Sequence, residues 1–243
     1  MGSINQIPKE FENAVAELGI VFDDGDLHNL ATYIDVLLET NRLFNLTGIK
    51  DAKLAWTKHI LDSLSLIPSL TQEGVNHVID VGSGGGVPGI PLAITMPEVT
   101  FSLLECTKKK AKFLSDVTQH LGLSNVTILA IRAEDLATEK GGFRDIADAV
   151  VTRAVGPLPV LLELTVPFVK VGGVVLAIKG KNAPQEIEDA SHALKVLHAE
   201  VESSRRTKTG TVLTIRKLAP TPNKYPRFPG EPKRSPIRKG NRH

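Results

Sequence analysis

The chain has 243 residues, 42% hydrophobic and 23% charged, with a net charge of +2; this composition suits a folded globular protein and excludes a disordered or collagen-like one. A single cysteine, Cys106, excludes an internal disulfide and any zinc site that needs two thiolates. The small net charge conceals a division: from Ser203 to His243 there are twelve Lys and Arg against one acid, Glu231, so the preceding residues are acidic overall.

Residues 1–70 read as helical, with a first candidate helix over 8–18. Leu27, Leu30, Ala31, Ile34, Leu37 and Leu38 recur at helical spacing behind the acidic start Asp24 to Asp26. A further helix is predicted over 51–66, with Leu54, Ala55, His59, Ile60 and Leu64 on one side and Pro68 beyond its end. From Val75 the texture changes. Strand-like runs at 77–81, 100–104, 126–130, 149–152 and 174–178 alternate with helix-length segments at 108–121, 158–169 and 185–197. Such alternation predicts an α/β fold with a mostly parallel sheet covered on both faces. Runs at 201–205 and 212–217 flank Lys208-Thr209-Gly210, the spacing of a hairpin, and complete seven strands with an antiparallel pair at the edge. Beyond them Pro220, Pro222, Pro226, Pro229, Pro232 and Pro236 predict an extended tail without regular structure. Three regions result: an N-terminal helical lid (1–70), the α/β body (71–218) and a basic Pro-rich tail (219–243). No apolar run approaches the roughly 18 residues of a membrane span. The start lacks a signal pattern, and Gln6 stands where a myristoylation motif needs Ser or Thr. The expected location is cytoplasmic.

The strongest chemical signal runs from Asp80 to Gly89, a glycine-rich turn entered from an apolar strand and left by a helix. In the first unit of a doubly wound sheet this turn lies where ligands bind, and its glycines let backbone approach a ligand closely. A tight turn without a ligand is the bland alternative. Two cofactor classes compete for it. A dinucleotide loop wants glycine at its first, third and sixth positions, yet the sixth position from Gly82 is Val87, and the third glycine comes one residue early at Gly86. The order Asp80, Gly82, Gly84, Gly86 at alternate positions instead looks like the first motif of S-adenosylmethionine-dependent methyltransferases. Glu105, which ends the next strand, suits both ribose hydroxyls of an adenosine in either class. Ala133-Glu134 follows the third strand, where a small residue beside an acid borders adenine in methyltransferases or caps a helix.

With these pieces placed, nearly the whole chain resembles the GidB (RsmG) family of bacterial 16S rRNA guanine-N7 methyltransferases. The resemblance rests on the stretches Asn41 to Thr47, His59 to Ser63, Asp80 to Pro91, Thr152-Arg153-Ala154, Lys179-Gly180 and Lys224 to Gly230. It implies a Rossmann-like S-adenosylmethionine-dependent methyltransferase fold and S-adenosyl-L-methionine as cofactor. The implied partner is 16S rRNA or the small ribosomal subunit, with no metal, no membrane and a monomer favoured. Cofactor contacts would fall on Gly82, Val87, Glu105, Cys106, Thr107, Ala133, Glu134 and Arg153, together with the loop residues Asp80, Gly84 and Gly86. Gly85 departs from the proline of many members and should loosen the loop.

Guanine N7 carries an available lone pair, so its methylation releases no proton and needs no catalytic base. The chain has no Asn/Asp-Pro-Pro-aromatic motif of the kind used for exocyclic amines. Arg153 and Lys179, beyond the ends of the fourth and fifth strands, are the candidate catalytic residues. Arg153 would grip the cofactor carboxylate or a phosphate, and Lys179 would contact RNA or guanine O6. Cys106 reads as a small packing residue near adenosine, and His59 as a packed core residue; only the resemblance makes His59 and Asp62 candidates for the site wall. Asn41, Arg42 and Asn45 either meet RNA or cap a helix; Trp56 and Phe44 read as core. The tail offers Arg227, Lys233, Arg234, Arg238 and Lys239 for phosphates, with Tyr225 and Phe228 interleaved. Competing readings are methylation of another RNA or a protein, a nicotinamide-dependent oxidoreductase, and a non-catalytic RNA-binding assembly factor.

Overall fold

The β-rich runs pair into one seven-stranded sheet in the order β3-β2-β1-β4-β5-β7-β6. Its strands are β1 (His77–Val81), β2 (Thr100–Leu104), β3 (Val126–Leu129), β4 (Ala147–Arg153), β5 (Val169–Lys179), β6 (Ala199–Arg206) and β7 (Thr211–Lys217). The first five run parallel, while β7 pairs antiparallel with both β5 and β6. This computed structural model describes residues 7–238, so Gln6, Lys239 and Arg242 lie outside the described residues. Strand order reverses between β2-β1 and β4, and the crevice beyond the carboxyl ends there is where open α/β sheets bind ligands.

Alternating side chains supply two core layers. Val78, Phe101, Leu103, Val151 and Leu176 face one layer, which packs on α2 (Asp26–Asn41), α6 (Gly89–Thr95) and α7 (Lys108–His120). Ile79, Val150, Val175 and Leu213 face the other, which packs on α9 (Leu158–Thr165) and α11 (Ser191–Leu197). Short α8 (Ala133–Leu136) and α10 (Ala183–Asp189) complete that second layer. The predicted helix over 185–197 is therefore two helices, which meet at Ala190.

The N-terminal region holds α1 (Lys9–Glu17), α3 (Ala52–Ala55), α4 (Asp62–Leu64) and α5 (Ile67–Glu73) besides α2. Between α3 and α4 the helix widens into a π turn over Trp56–Leu61, a local insertion that recurs at functional sites. Pro68, beyond the end of α4, also sits inside the first turn of α5, a position whose N–H would have no helical partner anyway. Trp56 is core, tilted against Phe11 at 4.8 Å.

The tail overturns the expectation of an extended arm. Pro232 lies in the first turn of a short helix, α12 (Glu231–Arg234), and Tyr225 and Ile237 are buried in the second core layer. Arg227 wraps the fully buried Glu163 carboxylate of α9, through its backbone N–H at 2.9 Å, Nε at 2.8 Å and Nη2 at 2.6 Å. Arg144 holds the same segment by donating to the Tyr225 carbonyl at 2.7 Å and to that of Thr221. Prolines removed backbone donors here without preventing packing, because side chains from the body supply the hydrogen bonds.

Candidate functional site

The loop after β1 is fixed by its own backbone. Gly82 and Ser83 donate to the Leu104 carbonyl at 2.9 and 3.1 Å, which ties the turn to the end of β2. Gly82, Gly84 and Gly86 take φ of +77°, +56° and +97°, a region that side chains other than glycine enter at a penalty. Their surroundings separate their roles. A Cβ on Gly82 would approach Val155 to 2.8 Å, and one on Gly86 would collide with Ile90, whereas one on Gly84 meets nothing nearer than 3.8 Å. Gly86 is thus a packing glycine. Gly85 is approached by Leu37, which a Cβ there would meet at 2.9 Å, and its carbonyl accepts the Tyr33 hydroxyl at 2.7 Å. A glycine at this position thus goes with close seating of α2 against the loop.

Two carboxylates frame the turn. Glu105 accepts the Gly84 N–H at 3.1 Å through Oε2 and the Thr107 N–H at 2.7 Å through Oε1. A carboxylate has about four acceptor positions, so two remain for a ribose diol. Asp80 is fully buried; Oδ2 accepts the Gly89 N–H at 3.0 Å, and Oδ1 has no hydrogen-bond partner among the described residues. Burial pushes its pKa up to about 7, against the opposing pull of the Gly89 N–H. An orphaned acceptor behind the loop fits an ammonium donor, supplied directly or through water. Glu105 and the glycine turn thus present polar groups toward the cleft, with Asp80 bracing the turn from behind. Beside them lies a cleft of about 210 Å³, lined by Gly82, Glu105, Cys106, Ala133 and Glu134 and faced by Gly230, Pro232 and Lys233. Cys106 is an exposed thiol on that cleft rather than a packed one.

Beyond β4 the chain builds a second polar cluster. Arg153 Nη1 donates to the Lys58 carbonyl and to His59 Nδ1, the latter at 3.1 Å, and Nη2 lies 3.8 Å from Asp62. Because Nδ1 accepts, Nε2 carries the proton and donates to Thr47 Oγ1 at 2.9 Å. Asn41 Oδ1 in turn accepts the Leu46 and Thr47 N–H groups at 2.8 and 2.9 Å. Burial and the Arg153 cation hold His59 neutral, with its pKa lowered to about 4. Burial raises Asp62 to about 6 against the pull of Arg153 and Lys58. His59 is thus buried, but as a hydrogen-bonding link rather than an apolar filler. From the sequence, His59 and Asp62 are site-wall candidates by resemblance alone and stand outside the catalytic pair, and Thr47 belongs only to a matching stretch; the physical signal is a histidine on an apolar stripe with an aspartate three residues later.

The remaining candidates divide. Val87 packs against the first core layer, and Thr107 precedes α7 with its N–H on Glu105. Lys179 is buried, donates to the Gly156 carbonyl at 2.8 Å and pairs with Glu186 at 2.6 Å; it pins the loop after β4. Glu134 is buried, and its Oε1 accepts the Gly230 N–H at 2.8 Å, so it fastens the tail to the cleft. Asn41 is turned inward, while Arg42 and Asn45 are exposed. No helix among the described residues is long and apolar enough to cross a membrane.

The family model described as rRNA small subunit methyltransferase G matches residues 26–219. A protein named Ribosomal RNA small subunit methyltransferase G from Sorangium cellulosum is 42% identical over 220 residues, covering 90% of this chain and 91% of that one. A namesake from Alkaliphilus metalliredigens is 42% identical over 230 residues, covering 91% of this chain and 95% of its own. Among solved structures, a putative O-methyltransferase from Klebsiella pneumoniae shares the fold, with a TM-score of 0.56 at 14% identity over 88% of this chain and 99% of that one.

Proposed function

Because the chain belongs to the rRNA small subunit methyltransferase G (GidB) family, we propose that it methylates N7 of a guanine in 16S rRNA with S-adenosyl-L-methionine as donor, in the cytoplasm. When bound, the cofactor supplies an electrophilic methyl group on a positive sulfur. The N7 lone pair forms the new C–N bond as the C–S bond breaks, and the positive charge passes to the purine. No proton leaves, so the chain's residues need only bind, align and exclude water.

Glu105 accepts the ribose hydroxyls, and its second bond, to the Gly84 N–H, sets the loop height against β2. Gly82 and Gly84 let the backbone border the methionine portion, with the Asp80 carboxyl behind it. Arg153, held by Lys58, His59 and Asp62, carries a fixed cation at the end of β4 that orients a carboxylate or a phosphate. Lys179 acts at one remove by holding the loop after β4. The observation that carries the adenosine-binding part of this reading is the buried Glu105 carboxylate, which joins the glycine loop to β2 and retains acceptor capacity toward the cleft. A nicotinamide reading is disfavoured by Gly86, which packs on Ile90 one residue before a dinucleotide loop would place its third glycine.

The deciding experiment maps N7-methylguanine in 16S rRNA from cells lacking the protein. Loss of one modified guanine, restored by the wild-type chain and less fully by Glu105→Ala, is expected. An unchanged modification pattern overturns the proposal.

A further inference from the structure

The cleft has a wall that the glycine-loop reading did not include. Gly230, Pro232 and Lys233 face Gly82, Glu105 and Ala133 across it, and Pro232 is buried. Neighbouring side chains on the lining, Ile131, Val160 and Leu164, are apolar. A flat heterocycle is the part of the cofactor that suits such walls, because it gains from removal of apolar surface from water and asks little of hydrogen bonding.

That wall is held from both ends. The N–H of Gly230, a residue with φ of +82° at the start of α12, is fastened to Glu134, which itself borders the cleft. Three residues earlier, Arg227 is locked on the buried Glu163 and also donates to the Ser235 carbonyl at 2.8 Å. The short helix between these anchors has little freedom to drift from the cleft.

We propose that residues 227–233 form the adenine-side wall of the cofactor pocket, with Pro232 as a binding residue for the base and Glu134 as the positioning residue that holds it there. This rests on the methyltransferase reading above and assigns a task to a segment that the charge pattern gave to RNA phosphates. Glu134 then acts on the cofactor through Gly230 as well as by bordering the cleft.

The test uses the full chain with S-adenosylhomocysteine and adenosine as probes. Calorimetry should show both ligands weakened about tenfold by Glu134→Ala, the scale of one lost hydrogen bond to a charged group. Glu134→Gln keeps an acceptor oxygen and should restore most of that affinity. Pro232→Ala should weaken both ligands roughly threefold to tenfold, in keeping with about 1 kcal/mol of apolar contact. In the wild-type chain, S-adenosylhomocysteine should slow amide exchange across 226–234, a readout that does not depend on any variant folding. Unchanged affinities in folded Glu134→Ala and Pro232→Ala, or exchange at 226–234 indifferent to the ligand, overturn the wall. A wild-type chain that binds neither probe overturns the cofactor reading itself, and the wall with it.

Discussion

The glycine loop and the tail border the same cleft, yet they are built in opposite ways. The loop is tied by bonds to nearby partners: Gly89 to Asp80, nine residues apart, and Gly84 to Glu105, 21 apart. The tail is tied by bonds that span 64 residues, from Arg227 to Glu163, and 96 residues, from Gly230 to Glu134. A local motif contains most of what fixes it. A cation count contains nothing that tells an arginine facing phosphate from one neutralising a buried carboxylate. Of the twelve basic residues after Ser203, Arg216 pairs with Glu73 and Glu202, Lys217 with Asp145, and Arg227 with Glu163.

The largest effect should come from truncation after Ala219. It removes Arg227 and leaves the Glu163 charge buried and unpaired, which costs about 3–5 kcal/mol. It also strips Tyr225 and Ile237 from the core, at roughly 1.5–3 kcal/mol each. Their sum rivals the whole stability of a domain, so the truncated chain should lose its cooperative urea transition. A solvated phosphate-binding arm predicts an unchanged midpoint, and that result would erase the contrast between the two regions.

Arg227→Met isolates the anchor. It should lower unfolding free energy by about 3–5 kcal/mol, and adding Glu163→Leu should recover much of the loss, since the orphaned charge causes most of it. Urea titration of both singles and the double supplies the coupling. Additive losses would mean that the pair does not fasten the tail.

Glu105→Ala tests the loop side. Removal of an acceptor for the ribose hydroxyls should weaken S-adenosylmethionine by about tenfold to a hundredfold, from 1.5–3 kcal/mol per hydrogen bond to a charged group. Turnover at saturating cofactor should change far less. A collapse of turnover with normal affinity would move Glu105 from binding to chemistry.

The smallest effect concerns the polar cluster at Arg153. His59 has its pKa near 4 when folded and 6.5 ordinarily, so the unfolded chain binds more protons between those values, and stability falls as pH drops through them. Asp62 lies near 6 against 3.8, so the folded chain binds more protons there, and stability rises as pH drops from 6 toward 4. The two trends oppose each other in the wild-type chain. Asp62→Asn should expose the His59 trend as a steeper acid loss, by at most about 1.4 kcal/mol per pH unit, read from melting temperature against pH. Parallel profiles for the two proteins would remove His59 and Asp62 from opposition.

The sheet was legible because β-branched runs buried on both faces leave little choice of period or register. The His77–Val81 and Thr100–Leu104 strands fall where their apolar runs predict. Gly82, Glu105 and Ala133 reach the cleft because strand ends and the turns after them carry their own geometry. Lys179 was harder, since a lysine at a strand end faces substrate or pairs with an acid according to a helix that begins several residues later. Glu134 and Arg227 were harder still. Residue by residue, the stretches Asn41 to Thr47 and His59 to Ser63 suggest capping, RNA contact and core packing, with nothing to join the two. One hydrogen-bond chain, from Asn41 through Thr47 and His59 to Arg153, joins them.

The span from Glu134 to Gly230 also has a meaning in time. These residues lie 96 positions apart, so at ~5–20 residues per second a ribosome makes the second roughly 5–20 s after the first. At the start of that interval the emerging chain already carries its glycine loop, Glu105 and β1 to β3, while the proposed tail wall of the pocket is still to come. With the proposed wall, full affinity for the cofactor waits until synthesis has passed Arg227 and Pro232. A nascent chain stalled before that point would lack both the anchor on Glu163 and the tail side of the cleft.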